Sequence, residues 1–303
     1  MSDTCLLSSL ISHASDVYPD ILQGDLIRYV AGAGGTFLIV NTLLAGWLAR
    51  RRIRDIRPDW RQMAREILAS LRTVVIFSLV GLAIALAERL GWLAIYDDPL
   101  ERGLPYFLAN LMVLILAHDA WFYWTHKVMH RAGLFRWFHR LHHRSHIPSP
   151  WTSYAFDASE AVVNAIYLPL ALLLMPTSLL AAFLFTAHMM LRNAIGHCGY
   201  EVFPARQDGR PLVDWLTTVT HHDLHHARPR YNFGLYFTWW DRLMGTEDPT
   251  YRAAFARAAG ATPDRRAEAA LALPVPTPNR HAGLPGFVRA SRARKAAGHS
   301  ENC

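Results

Sequence analysis

Sixteen histidines stand in this 303-residue chain, and most of them fall in three groups. YWTHKVMHR carries His126 and His130 in the spacing H-x-x-x-H. FHRLHHRSH carries His139, His142 and His143 in the spacing H-x-x-H-H, with His146 beyond them. THHDLHH repeats that spacing at His222, His225 and His226, with His221 just ahead. A single histidine, His197, lies between the second and third groups in NAIGHCGYE. On a helix that turns about 100° per residue, positions i, i+3 and i+4 project in one general direction. Packing gains nothing from lining up polar rings that are costly to bury. Neutral imidazole, by contrast, is a good ligand for zinc, iron, copper and nickel. Eight such side chains in the three groups exceed what one ion needs, so two adjacent ions are the natural count. A metalloprotease is excluded at one residue: H-E-x-x-H needs a glutamate after the first histidine as general base, and Lys127 stands there.

The segments that must hold these rings are apolar enough to sit in lipid. A charge-free run at 29–48 is about as long as a bilayer core is thick, at about 1.5 Å per residue across about 30 Å. A second apolar run covers 73–94, and a third, 106–123, leads straight into the first histidine group. The fourth, 161–192, is broken by Pro176, and each half is short for a full crossing, so it reads as a helical hairpin dipping into the membrane or two short tilted helices. Seven arginines lie in 50–65, directly after the first run. Basic residues flanking a span mark its cytoplasmic end. Counting crossings from there puts every histidine group on that same side. The expected fold is therefore all-α and integral to the membrane: about four embedded helical units, three spans plus a hairpin, under a cytosolic histidine-rich helical cap. The domain plan is an N-terminal segment 1–28, a membrane-embedded domain 29–252 with its motifs in 104–250, and a mobile basic tail 253–303.

Bulk properties agree. Hydrophobic residues make up 52% of the chain and charged ones 18%, below the roughly 25% of soluble domains. The net charge of +7 does not point to nucleic acid, because it is concentrated in the 50–65 loop and the C-terminal stretch and no nucleic-acid motif accompanies it. Cys5, Cys198 and Cys303 are too few and too scattered for a disulfide framework.

Across about residues 104–250 the chain resembles the fatty acid hydroxylase superfamily, the histidine-box membrane oxygenases that include sterol desaturases and sterol methyl oxidases. HDAWFYWTHKVMHR, FHRLHHRSHIPSPWTSYAFDASEA, GHCGYE, HHDLHH and YNFGLYFTWWDRLMGT carry the likeness, in that order. PSPWTSYAF looks most like the C5-desaturase branch and GHCGYE more like the methyl-oxidase branch. The resemblance implies a centre of two iron ions that uses O2 to hydroxylate or desaturate a C–H bond of a membrane lipid. It implies electrons from a separate donor (a ferredoxin, a cytochrome b5-like protein or a reductase), since no flavin or haem motif is present. The implied ligands are His126, His130, His139, His142, His143, His197, His222, His225 and His226. His118, Asp119, His146, His188, His221 and Asp223 are further candidates as ligands or as partners of ligands; Asp119 lies on the His126 side of a helix, where it either hydrogen-bonds that ring or stands as a polar residue at the membrane boundary. Where many relatives have a histidine after the SYAF-type stretch, this chain has Asp157. The expected setting is a multi-pass protein of a bacterial inner membrane with its site at the cytosolic face.

Substrate class stays open at this point: a ring-bearing lipid calls for a wide lateral opening between spans, an acyl chain for a narrow tunnel. A metal-binding membrane protein without redox chemistry is the alternative. A transporter, however, places its ligands at mid-membrane depth, and a structural zinc site closes at four.

Overall fold

The computed structural model describes residues 3–262, with side chains from Cys5 onward. Within them the chain is mostly helical, and four helices are long and apolar enough to cross a membrane: Cys5–Leu43, Trp60–Arg89, Leu104–Met129 and Leu179–Gly196. The first begins as α1 (Asp3–Tyr29) and continues through π-helical turns to Leu43. The others are α2 (Trp60–Arg89), α3 (Leu104–Met129) and α7 (Leu179–Gly196). Between α3 and α7 come α4 (Phe135–Phe138), α5 (Ala158–Ala165) and α6 (Tyr167–Leu174); α8 (Val219–Ala227), α9 (Trp239–Leu243) and α10 (Tyr251–Ala258) follow. β1 (Ile95–Tyr96) and β2 (Thr177–Ser178) pair in parallel.

The spans are apolar outside, and inside they mix apolar clusters with buried polar side chains. Leu38, Ile39, Leu79, Leu108, Met112 and Phe183 are exposed, whereas Ser70, Thr73, Ser78 and Asn110 are buried. In lipid, where apolar burial gives helices no reason to associate, small and polar contacts of this kind hold them together.

Residues 3–28 are not a segment apart. They lie in the same helix as the first span, packed along α2 so closely that a Cβ on Gly81 would sit 2.8 Å from Ile21. The second span also starts earlier than its apolar run, because Asp59 caps α2 by accepting from Gln62 N at 2.6 Å. This polar first third of α2 carries the segment after the second histidine group: Gln62 Nε2 donates to Ile147 O (2.7 Å), Ser149 Oγ to Glu66 (2.5 Å) and Ser70 Oγ to Trp151 O (3.0 Å).

The 161–192 region is a helical hairpin, α5 and α6 followed by α7. Its tip pairs with the α2–α3 connection, Ile95 opposite Thr177 and Tyr96 opposite Ser178, while Tyr106 OH donates to Pro176 O at 2.7 Å. Pro176 breaks the helix where the chain must turn back. At the opposite end the arginine-rich connection lies against the histidine-bearing segments: Ile53 N donates to Gly199 O (3.1 Å), and Arg54 grips Asp223 through both carboxylate oxygens (2.8 and 3.0 Å). All three histidine groups share that end with the arginines.

The tail begins later than expected. Residues 251–258 form α10, whose Tyr251, Phe255 and Ala256 are buried against α8, because an aromatic at i and i+4 gives this Ala-rich turn an apolar face. The rest of the expected tail, 263–303, lies outside the described residues.

Candidate metal centre

The nine histidines expected as ligands fall into two sets. His126, His130, His139, His143 and His225 form one, and His142, His197, His222 and His226 the other; within each, one ring nitrogen per residue lies within 4.8 Å of all the others. The sets adjoin, with the His143 and His226 rings 5.0 Å apart and those of His139 and His142 likewise 5.0 Å apart.

Each H-x-x-H-H group is divided between the sets by helical geometry. Residues i and i+4 lie about 40° apart, while i+3 falls about 100° away from i+4. Accordingly His139 and His143 stay together and His142 crosses over; His222 and His226 stay together and His225 crosses over. The second group does this without a continuous helix: His139 ends α4, and His142–Arg144 is a 3-10 turn. Leu141 N donates to Asp157 Oδ2 at 2.8 Å, which holds that turn.

The nitrogens that converge are all Nε2. In the five-membered set, His126 and His139 approach to 2.9 Å, His143 and His225 to 3.0 Å, and His143 and His130 to 3.2 Å. In the four-membered set His197 lies 3.0 Å from His222, 3.2 Å from His226 and 3.3 Å from His142. Two nitrogens bound to one ion at about 2.1 Å sit about 3.0 Å apart at a right angle and about 3.4 Å apart in a tetrahedron. The tautomers agree with that use. A backbone carbonyl can only accept, so His126 donates Nδ1–H to Phe233 O (2.9 Å), His225 to Tyr231 O (2.7 Å) and His197 to Asn193 O (2.7 Å). Each therefore presents an Nε2 lone pair to its set, and converging lone pairs are the donor set of a cation. The residues fit a pair of transition-metal ions.

Burial keeps the rings in the ligating form. It pushes His139, His142, His143, His222, His225 and His226 well below the ordinary histidine range, and neighbouring imidazoles push the same way. His197 is brought down by burial to about 4.

One loop holds two of the rings. In Tyr231-Asn232-Phe233-Gly234, the carbonyls of Tyr231 and Phe233 receive His225 and His126, with Asn232 between them in the left-handed region (φ 59°). Asn232 is tied by its amide to His221 O (2.9 Å) and Asp248 N (2.7 Å). Asp241 accepts from Phe233 N (2.9 Å), Gly234 N (2.8 Å) and Thr246 Oγ1 (2.7 Å). A Cβ on Gly234 would meet Phe237 O at 2.6 Å, so only glycine allows this approach.

The six further candidates lie outside both sets. His118 Nδ1 faces Tyr236 OH at 2.9 Å, and the His188 ring packs on the same tyrosine. His146 is exposed; His221 is buried 3.6 Å from Asp241 Oδ2, edge-on to Tyr251. Asp119 does not reach His126: its Oδ1 accepts from Tyr236 N (2.9 Å) and Phe237 N (3.2 Å), buried amides that need an acceptor more than the ring does. Asp223 is taken by Arg54. Three contributors were not anticipated: the carbonyls of Tyr231 and Phe233, which have no side-chain signature, and Glu160, whose Oε1 lies 2.6 Å from His139 Nδ1. The DASEA stretch after the second group carried that glutamate in view.

Beside the five-membered set a cleft of about 800 Å3 opens between α3 and the α5–α6 arm. Its wall is apolar along α3 from Val113 to Met129 and includes Trp121, Phe138 and Tyr167. Met129 and Phe138 immediately precede His130 and His139.

The family model for fatty acid hydroxylase matches residues 111–246, a stretch that contains all nine converging histidines. Residues 111–246 belong to the fatty acid hydroxylase superfamily. Within that superfamily the chain is similar to a Delta(7)-sterol 5(6)-desaturase of Gibberella zeae, 26% identical over 74% of this chain and 69% of the relative. It is likewise 26% identical to the lathosterol oxidase of Rattus norvegicus, over 61% of each chain. A very-long-chain aldehyde decarbonylase of Oryza sativa subsp. japonica is 34% identical, over 51% of this chain but 27% of that longer protein. No solved structure matches this chain.

Proposed function

We propose that this protein is a membrane-bound, O2-dependent diiron oxidoreductase that hydroxylates or desaturates a C–H bond of a lipid. The coarser part, a lipid-modifying oxidoreductase, is supported by the desaturase, oxidase and decarbonylase relatives. The observation that carries the finer part is the pair of adjoining imidazole sets with their Nε2 atoms turned inward. The nine histidines would hold two irons, which when bound supply O2 activation. Hydroxylation then consumes one O2, two electrons and two protons and yields the alcohol and one water; desaturation consumes the same and yields the alkene and two waters. The electrons come from a separate donor that docks at the cap, on the cytosolic side marked by the 50–65 arginines.

The protein's own part is to keep the site dry and to admit the lipid sideways. All but one of the nine rings are fully enclosed, His130 being half-buried. An oxidant strong enough to break an unactivated C–H bond must be shielded from water and side reactions. The cleft along α3 leads from the lipid-facing side towards Met129 and Phe138, so a substrate reaches the boxes without crossing water. Its volume of about 800 Å3 leaves room for a ring-bearing, sterol-like lipid, the substrate class of the desaturase and oxidase relatives.

The test is to express the protein with a ferredoxin–reductase pair and a bacterial lipid extract supplemented with a Δ7-sterol. Products are searched for a gain of one oxygen or a loss of two hydrogens, and iron is measured. About two irons per chain and an O2-dependent product are expected. An iron-free protein, or turnover unchanged in His143→Ala or His226→Ala, would contradict the reading.

A further inference from the structure

Behind His139 stands a carboxylate that the ligand set alone does not account for. Glu160, in the first turn of α5, is 0% exposed, and its Oε1 lies 2.6 Å from His139 Nδ1. Among the described residues it pairs with no lysine or arginine, and neither its carboxylate oxygens nor His139 Nδ1 makes a hydrogen bond of good geometry, so the 2.6 Å approach is a close polar contact. Asn164, one turn further along α5, is buried with its amide equally unpartnered and so does not satisfy it. A carboxylate buried without a compensating cation is strongly unfavourable.

The other rings are backed differently. Three Nδ1 atoms rest on neutral backbone carbonyls, and those of His142 and His226 are buried with no partner. Among the described residues, His139 alone of the nine is backed by a carboxylate, so the five-membered set carries an acidic group that the four-membered set lacks. A cation on His139 Nε2 would balance Glu160 through the ring: with the ring charged by the ion, the carboxylate 2.6 Å away would take the Nδ1 hydrogen, orient the imidazole and make its Nε2 a stronger donor.

We propose that Glu160 is a positioning residue that fixes His139 and makes the five-imidazole position hold its metal ion more tightly than the four-imidazole one. This rests on the metal-centre reading above. It is tested on the full chain in detergent, stripped of metal and titrated with Co2+ against a chelating indicator, together with Glu160→Gln and Glu160→Ala. Gln keeps an acceptor for Nδ1–H but removes the charge; Ala removes both.

The wild type should take up two equivalents in two phases. In Glu160→Gln the tighter phase should weaken about tenfold and in Glu160→Ala about a hundredfold, with the weaker phase in place. Thermal unfolding of the metal-free protein supplies the second readout. Without metal, Gln replaces a buried carboxyl that has no cation to pair with, so metal-free Glu160→Gln should unfold at or above the wild-type temperature. A purely structural contact would move it down. The proposal is overturned if both phases keep wild-type affinity in the two variants, if both phases weaken equally, or if metal-free Glu160→Gln unfolds at a lower temperature. Where Glu160→Ala fails to fold, Glu160→Gln decides. A wild type that binds no Co2+ contradicts the metal centre itself, and this inference with it, whereas two bound equivalents that ignore Glu160 sink this inference alone.

Discussion

The five-imidazole and four-imidazole sets draw on the same two H-x-x-H-H groups, yet they are supported unequally. The larger set takes two i,i+4 pairs and one crossing ring, and it is backed by Tyr231 O, Phe233 O and Glu160. The smaller takes one i,i+4 pair, one crossing ring and His197, and Asn193 O is its one carbonyl support. The larger set is thus pinned from outside by the 231–234 loop, while the smaller depends on α8 and on the end of α7. Two ions in such surroundings are not interchangeable.

Removing a ring is the largest perturbation. His143→Ala should abolish turnover and the larger set's ion, and His226→Ala should abolish turnover while sparing that ion; metal analysis separates the two. If either variant lost both ions while remaining folded, the two sets would be one cooperative site and the comparison would fail.

Undoing the clamp comes next. Asp241→Ala leaves the Phe233 and Gly234 amides and the Thr246 hydroxyl without their acceptor in a buried place. Each such loss costs about 1–3 kcal/mol, so the unfolding midpoint should fall by several degrees. Metal affinity of the larger set should fall more than that of the smaller. Equal losses at both would show that the loop does not act on one set selectively.

Acid should act in the same direction on His197 of the smaller set and on His221, buried outside both sets. For the metal-free protein the sign follows from the depressed values: an imidazole with an ordinary value of 6.5 that falls to about 4 at His197 or about 3 at His221 binds fewer protons folded than unfolded. The stability is therefore fully present above about pH 6.5, declines below it and is lost as pH falls through about 4 and then about 3. Denaturant titrations at pH 7.5, 6 and 5 should show this decline, and bound metal should protect against it, since protons and metal compete for the same lone pairs. A flat pH dependence would mean that these imidazoles bind protons as readily in the folded protein as in the unfolded chain.

The smallest effect belongs to Asp223→Asn. It loosens the Arg54 contact that ties the 50–65 connection to α8. Arg54 is partly exposed, so about 1 kcal/mol or less is expected, read as a small shift in unfolding and a few-fold change at the smaller set only.

Much of this was legible in the sequence because spacing has a geometric meaning. H-x-x-x-H and H-x-x-H-H specify directions on a helix, and the eight rings named by their pattern, with His197 added by the family resemblance, are the nine that converge. The pattern did not reveal that i+3 would part from i+4, because which ring goes to which ion depends on where neighbouring elements sit. The apolar runs located the spans but missed their ends, since Asp59 capping α2 is a hydrogen-bonding event that hydropathy does not register. The role of Asp119 stayed open for a related reason: facing His126 around a helix does not outweigh two buried amides at Tyr236 and Phe237. Conversely YNFGLYF and DASEA were visible as motifs, but their purpose, two carbonyls and a carboxylate behind three rings, needed the fold.

The most direct test is Mössbauer spectroscopy of protein grown on 57Fe and purified in detergent. Two irons per chain giving two doublets of equal area, with distinct parameters, is the predicted result. A single iron, or none in a folded and fully expressed protein, would contradict the account.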